Sequence, residues 1–324
     1  MAPRIIIQEH LPTTTAAEGE VSAATDANRS LQDRLRQHIP HSLALLRRLQ
    51  FAGKFAGTSP ATARVLHAYY SSTSPEGSSS SSSSDGPFAA AYVDLSRGPE
   101  TECWLYSSLE DSCASAAHTT DDERTRLTTS CAAADSDAAA AMDLGHLRGG
   151  VVVGALNEAV RARLGERGVL MGSTIAIPRG MDWDWCAKWL FRLDALPGGG
   201  GGEMEKMRWD TARREDLDVI LSRTAVPYSP ATLLTLPNTV VRLDDGIPIA
   251  WAFLGLDGTT KTLHVEEPYR RRGLAKAVAA KLMRAHLKDY GDDGWGGADV
   301  SVANLKSQAA CKSIGGTLGW VLSW

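Results

Sequence analysis

The sequence predicts a mixed α/β protein built as two halves, each a mixed sheet packed with helices. Three observations carry this. Strand-like blocks alternate with helix-like ones on both sides of a glycine run at Pro197–Gly202. The chain has 324 residues, about two domains at roughly 150 residues each. Hydrophobic residues make up 43% of it, enough to build a core in each half.

The elements follow in order. Asn28–Arg48 reads as helix interrupted at Pro40, with Leu43, Leu46 and Leu49 on one face. Phe88–Leu95 and Glu102–Leu109 are strands of a hairpin around Arg97-Gly98-Pro99. Val151–Leu164 reads as helix, and Val169–Ile177 and Trp189–Leu193 as strands. After the glycine run, Arg214–Arg223 and the segment opened by Ser229-Pro230 are helical. Thr239–Leu243 and Pro248–Leu254 flank the Asp245-Gly246 turn, a strong hairpin signal. Thr260–Val265 is a third strand. Gly273–Tyr290 is a helix with Leu274, Val278, Leu282 and Ala285 as its buried stripe. Asp299–Ala303, Leu305–Ser313 and Gly319–Ser323 read as strand, helix and strand. Ser71–Gly86, Ala116–Met142 and the glycine run bury too little apolar surface to offset their ordering entropy. The expected division is therefore 1–196 with disordered insertions at 71–86 and 116–142, a linker at 197–203, and 204–324.

Composition excludes several classes. With 34 basic and 38 acidic side chains the net charge is −4, a poor match to non-specific nucleic-acid binding. The longest apolar run, Ile247 to Leu256, is about half of what spans a bilayer. The N-terminus carries neither a secretory h-region nor an Arg-rich presequence. The five cysteines are scattered without CxxC spacing, which reads as reduced thiols in a cytoplasmic protein. No Cys/His quartet has zinc-ligand spacing, so no metal is expected. His38 and His41, three apart across Pro40, have no further ligand nearby in sequence. The cluster of Trp183, Trp185 and Trp189 reads as an interdomain contact.

The segment Leu263–Lys276, LHVEEPYRRRGLAK, is the informative one. A strand runs into the basic turn Arg270-Arg271-Arg272-Gly273, and the turn opens a helix at Leu274-Ala275. A helix N-terminus leaves four N–H groups unpaired and carries partial positive charge. Three guanidiniums there are unfavourable unless an anion offsets them. Gly273 admits a ligand close to the backbone, and Ala275 keeps the first turn uncrowded. The whole is an anion site suited to a pyrophosphate.

These residues resemble the acyl-CoA-binding motif of the GNAT acyltransferase superfamily, Arg270-x-x-Gly273-x-Ala275 after Leu263-His264-Val265. The resemblance continues in Asn304-x-x-Ser307 and Ile314-Gly315 and is specific over Pro248–Gly316. Within the superfamily the sequence around SVANLKSQ is similar to the glycine N-acyltransferase-like branch, including its fungal members. The resemblance implies a C-terminal GNAT fold preceded by a degenerate GNAT-like N-terminal half. It implies an N-acyltransferase, moving acetyl or another acyl group from acyl-CoA to a small amine or amino acid, with a peptide as a further acceptor class. The strand Thr260–Val265 would splay from Asp299–Ala303 to admit the pantetheine. Leu263 and Val265 would pair with its amides, and the backbone from Arg271 through Leu274 to Lys276 would hold the pyrophosphate. Asn304 and Ser307 would line the cleft.

The sequence departs from the family at the acid and the base. Many members carry a Tyr seven positions after the Asn to protonate the thiolate; here that position is Cys311, either a proton donor or a buried helix residue. Thr259 and Thr260 stand where some members of the glycine branch have Glu. The titratable groups nearest the expected thioester are His264, whose neutral form suits a base, and Glu266. The family's further closing strand does not follow Gly319–Ser323. That leaves an open edge, a strand from the N-terminal half, or a truncated gene. The second functional reading is a catalytically silent CoA-binding or interaction protein.

Overall fold

A computed structural model describes residues 5–11, 21–54, 63–70, 86–94, 102–112, 152–166, 185–198, 207–224 and 228–324. The predicted loops fall largely outside these residues, as does the predicted strand Val169–Ile177. Among the described residues no helix is long and apolar enough to cross a membrane.

The chain lays out one plan twice. In the first pass, β1 (Ile5–His10) is followed by α1 (Val21–Arg36) and α2 (Leu43–Lys54), then by β2 (Ala63–Tyr70), β3 (Phe88–Asp94) and β4 (Glu102–Ser107). The last of these pairs in parallel with β5 (Val152–Gly154). Then come β6 (Leu156–Asn157), α3 (Glu158–Glu166) and β7 (Trp185–Arg192). In the second pass, β8 (Met207–Asp210) is followed by α4 (Leu217–Ser222) and α5 (Pro230–Thr235), then β9 (Asn238–Leu243), β10 (Pro248–Leu254) and β11 (Thr259–Val265). After α6 (Leu274–His286), β12 (Trp295–Ser301) pairs in parallel with β11, and α7 (Leu305–Ser313) and β13 (Thr317–Ser323) finish the pass.

Two sheets result, in the orders β1-β2-β3-β4-β5 and β6-β13-β7-β12-β11-β10-β9-β8. This is the mixed α/β architecture in two halves that the sequence predicts. The missing closing strand is β7. It lies between β12 and β13, antiparallel to both, although it precedes the glycine run. Of the three readings left open, the strand comes from the first half. The burial pattern of β7 explains the position: Cys186 through Phe191 are all buried, as suits a central strand. Trp189 is thus a core residue of this sheet; Trp183 lies outside the described residues.

The helix expected over Val151–Leu164 is a correction. Its first half is strand, crossing from one sheet to the other at Ala155, where φ is +55°. Helix begins only at Glu158, with Asn157 Oδ1 accepting from Ala159 N–H at 2.9 Å. The run of Val151, Val152 and Val153 carries the β preference that the helical reading discounted.

One apolar cluster joins the halves, from Leu31, Leu49 and Trp104 to Trp251, Val278 and Leu282. Polar ties cross between them as well. Arg47 on α2 forks onto Asp293, with Nε to Oδ2 at 3.0 Å and Nη2 to Oδ1 at 2.5 Å, both side chains buried. Phe51 stacks on Tyr290 with ring centroids 4.9 Å apart.

Candidate acyl-CoA site

The site begins where β11 and β12 part. They are paired only at Thr259↔Gly297 and Thr260↔Ala298. Beyond that rung no strand among the described residues pairs with β11 on this side, so the main chain from Lys261 to Val265 borders a gap. On its other side β11 keeps its ladder to β10, interrupted by a bulge at Thr262, whose φ is +50°. The bulge places Lys261 opposite Phe253 and His264 opposite Trp251, so residues three apart in β11 share one face. His264 stacks on Trp251 there, with ring centroids 4.7 Å apart.

At the open end of the gap lies the basic turn. Gly273 caps α6 with φ +81° and no side-chain hydrogen bond, a left-handed conformation that favours glycine. The first bond of the helix runs from Ala277 N–H to Gly273 O at 3.0 Å. The N–H groups of Leu274, Ala275 and Lys276 therefore have no partner within the helix. Arg271, Arg272 and Gly273 are exposed, and a Cβ at Gly273 would meet nothing within 4 Å. Arg271 has φ +64°, an uncommon conformation for a side chain of this size. Leu274 is buried and anchors the first turn. Arg270 differs from its neighbours. Its Nε donates to Val265 O at 2.9 Å, so it ties the turn back onto β11.

Asn304 and Ser307 form the cap of α7: Asn304 Oδ1 accepts from Ser307 N–H at 3.0 Å. That bond gives the Asn-x-x-Ser spacing a structural cause at the head of the helix beside the gap. Cys311, one turn further on, is 5% exposed and belongs to the core. Burial first, and the Asp299 charge second, push its thiol up to about 12.

His264 and Glu266 do come together, with Nε2 to Oε1 at 3.6 Å. Burial lowers the His264 pKa; Glu266 opposes this, while Arg270 and Arg223 add to it. Arg223, at the end of α4, donates from Nε to Glu266 Oε1 at 3.0 Å. The result is a neutral imidazole with an unpartnered Nε2, backed by a carboxylate already held by a cation. Sequence reasoning missed Arg223, which reaches Glu266 from a helix end, and Trp251, which stacks on His264 from the neighbouring strand, because no local spacing links either to its partner.

The first half carries the matching turn in altered form. β4, like β11, pairs antiparallel with the strand before it and parallel with the next one, and a 3-10 turn follows each. The turn after β4 carries Glu110 and Asp111, and the turn after β11 carries Glu267. Asp111 accepts from Tyr106 OH at 2.9 Å and contacts His38 Nδ1 at 2.5 Å. His41, the other histidine of the pair, stacks on Trp320 at 4.3 Å.

Fold and site together define a two-pass mixed α/β scaffold in which a gap between parted parallel strands ends at a basic helix N-terminus. Residues 18–176 match the family model of the acyl-CoA N-acyltransferase verG N-terminal domain. The match thus covers the half without the basic turn. No curated protein matches the chain. Among solved structures, a Drosophila protein is similar at 15% identity and TM-score 0.56, covering 92% of this chain and 95% of its own. A GCN5-related N-acetyltransferase from Sphaerobacter thermophilus has 13% identity and TM-score 0.46, over 98% and 94% of the two chains. A tandem GNAT protein from the clavulanic acid biosynthesis pathway has 12% identity and TM-score 0.40, over 98% of each chain.

Proposed function

We propose that this protein is an N-acyltransferase that moves an acyl group, acetyl in the simplest case, from CoA to a primary amine by direct attack in a ternary complex. One observation carries the reading. The gap beside Lys261–Val265 ends at an exposed left-handed glycine and a helix N-terminus flanked by arginines. The family match of the first half supports the same activity.

In this reading the pantetheine lies in the gap and its amides pair with the main chain of Leu263 and Val265. The N–H groups after Gly273, with Arg271, Arg272 and Lys276, hold the pyrophosphate. Arg270 positions the turn through Val265 O. Asn304 and Ser307 border the far side of the pantetheine. His264, neutral and oriented by Glu266, takes the proton from the acceptor ammonium. The amine then attacks the thioester carbon, and the oxyanion is stabilised by main-chain N–H. With its thiol held at about 12, Cys311 stays protonated at neutral pH. A buried thiol is a weak donor, and the thiolate leaves with a proton from solvent. The protein acts as a soluble cytoplasmic enzyme on a small amine or amino acid.

Titration with CoA, followed by assay of acetyl-CoA with amino acids, small amines and peptides, tests the proposal. CoA binding with transfer to at least one amine is the expected result. Binding without transfer to any acceptor would favour a silent CoA-binding protein, a reading supported by the burial of Cys311 where many relatives have Tyr.

A further inference from the structure

Where β11 and β12 part, the first rung they do not make is bridged by a side chain from elsewhere. Their ladder ends at Thr260↔Ala298, so Lys261 and Asp299 are the next residues on each strand. Trp324, which follows β13, stands between them. Lys261 Nζ lies 3.7 Å from the centre of its ring, and its Nε1–H donates to Asp299 Oδ2 at 3.2 Å. A cation over the ring and a carboxylate on its N–H hold the indole from both sides of the gap.

The indole stands on the face of the second sheet that is turned to the first half. There β5 packs onto it: a Cβ at Gly154 would meet the ring at 3.0 Å, so only glycine leaves it room. The ring also packs against a small apolar cluster that includes Ala155, Trp320 and Leu322. The opposite face of the gap offers no space. Ala298, Val300, Val278 and Leu282 are buried there in the main core. An alkyl chain that enters from the Gly273 end and runs towards the closed end therefore has to turn to the Lys261 face, and there it meets the indole.

We propose that Trp324 is the end wall of the acyl pocket and limits the donor to short acyl groups, acetyl and its near homologues. The proposal rests on the acyl-transfer reading, which lays the pantetheine along Leu263 and Val265 with the thioester towards Lys261. Leu263 is two residues from Lys261, a span of roughly 7 Å along a strand. Van der Waals contact with the ring takes about 3.7 Å of it. A thioester carbonyl held at Leu263 then has space beyond it for about two carbons.

A wall made by one indole is selective only if the ring stays in place, and its partners are themselves pinned. Asp299, which accepts the indole N–H, is held through its other oxygen by Lys188 at 2.5 Å, each side chain 6% exposed. Lys261, over the ring, also offsets the charge of the buried Asp257. A longer acyl chain has to displace the ring together with both contacts. In a pocket of fixed length one methylene is worth at least about tenfold in discrimination.

The test is a ladder of free CoA, acetyl-CoA, butyryl-CoA, hexanoyl-CoA and octanoyl-CoA, titrated calorimetrically into the wild type, Trp324→Ala and Trp324→Phe. Affinities are read relative to free CoA for each protein, which removes any general loss. In the wild type, hexanoyl-CoA and octanoyl-CoA should bind at least about tenfold more weakly than acetyl-CoA. Trp324→Ala opens the way towards Ala155 and Leu322, and affinity should rise by about fourfold per methylene from acetyl to hexanoyl. Trp324→Phe keeps most of the ring and should follow the wild type. If the alanine variant does not fold, Trp324→Leu carries the comparison. The same ladder in wild type and alanine variant, or a wild type that binds octanoyl-CoA more tightly than acetyl-CoA, overturns the wall and leaves the acyl-transfer reading standing. Failure of every protein to bind free CoA sinks the acyl-transfer reading itself, and the wall with it.

Discussion

Replacing Lys188 tests how far the second sheet depends on a strand from the first half. Lys188 sits in the middle of β7, and its ammonium is 2.5 Å from Asp299 Oδ1 on β12, each side chain 6% exposed. Lys188→Met leaves Asp299 buried, with only Trp324 Nε1–H at 3.2 Å on its other oxygen. Breaking a buried pair from one side costs about 3–5 kcal/mol, a large part of a total stability of roughly 5–15 kcal/mol. For a chain of this length the urea slope lies near about 3 kcal/mol per molar, so the midpoint should fall by about 1 M or more. The second variant, Lys188→Met with Asp299→Leu, removes both charges and should recover most of the loss, because two well-packed apolar groups avoid the desolvation of the ions. Urea unfolding followed by far-UV circular dichroism measures both. A loss below about 1 kcal/mol in the single variant, or a double variant no better than the single, would refute the claim that this pair ties the strand into the sheet.

Three further outcomes are expected. Gly273→Val should weaken CoA at least tenfold, since its φ of +81° costs a branched residue about 1–2 kcal/mol and the side chain covers the amides. Arg271→Ala should cost at most about fivefold, as for an exposed charge at a helix end; isothermal titration showing equal or reversed losses would make the turn a simple charge patch. Because burial lowers His264 from its ordinary 6.5, its base form is present above a midpoint below 6.5 and is lost as pH falls through it. The acid limb of turnover should lie there and disappear in His264→Gln; an unchanged limb would remove His264 from the reaction. Cys311→Ala should lower turnover by less than about tenfold, and a hundredfold loss in steady-state assays at unchanged CoA affinity would make Cys311 the acid.

The sequence was most legible where local rules decide. The Asp245-Gly246 turn, the stripe of Leu274, Val278 and Leu282, and the left-handed cap at Gly273 all lie within a few residues of their causes. The parts that were not legible depend on distant pairing. Ile5–His10 and Ala63–Tyr70 pair with each other at the edge of a sheet, and neither stretch has the alternation that marks a strand buried on one side. The bulge at Thr262 depends on Ala252 in the neighbouring strand, so the face shared by Lys261 and His264 could not be counted off by twos. Glu110 and Asp257 are 147 positions apart in sequence and meet at one cavity through the packing of the halves.

The position of Trp185–Arg192 also has a consequence for biosynthesis. On a ribosome this strand emerges about a hundred residues before either neighbour, Trp295–Ser301 or Thr317–Ser323. Until they arrive, both backbone edges of the strand remain open, and Cys186, Trp189 and Phe191 lack the cover that second-half residues give them. The nascent chain therefore carries an adhesive strand through the synthesis of nearly its whole second half. This places the greatest need for a chaperone midway through translation, and it makes the second sheet the last unit to close.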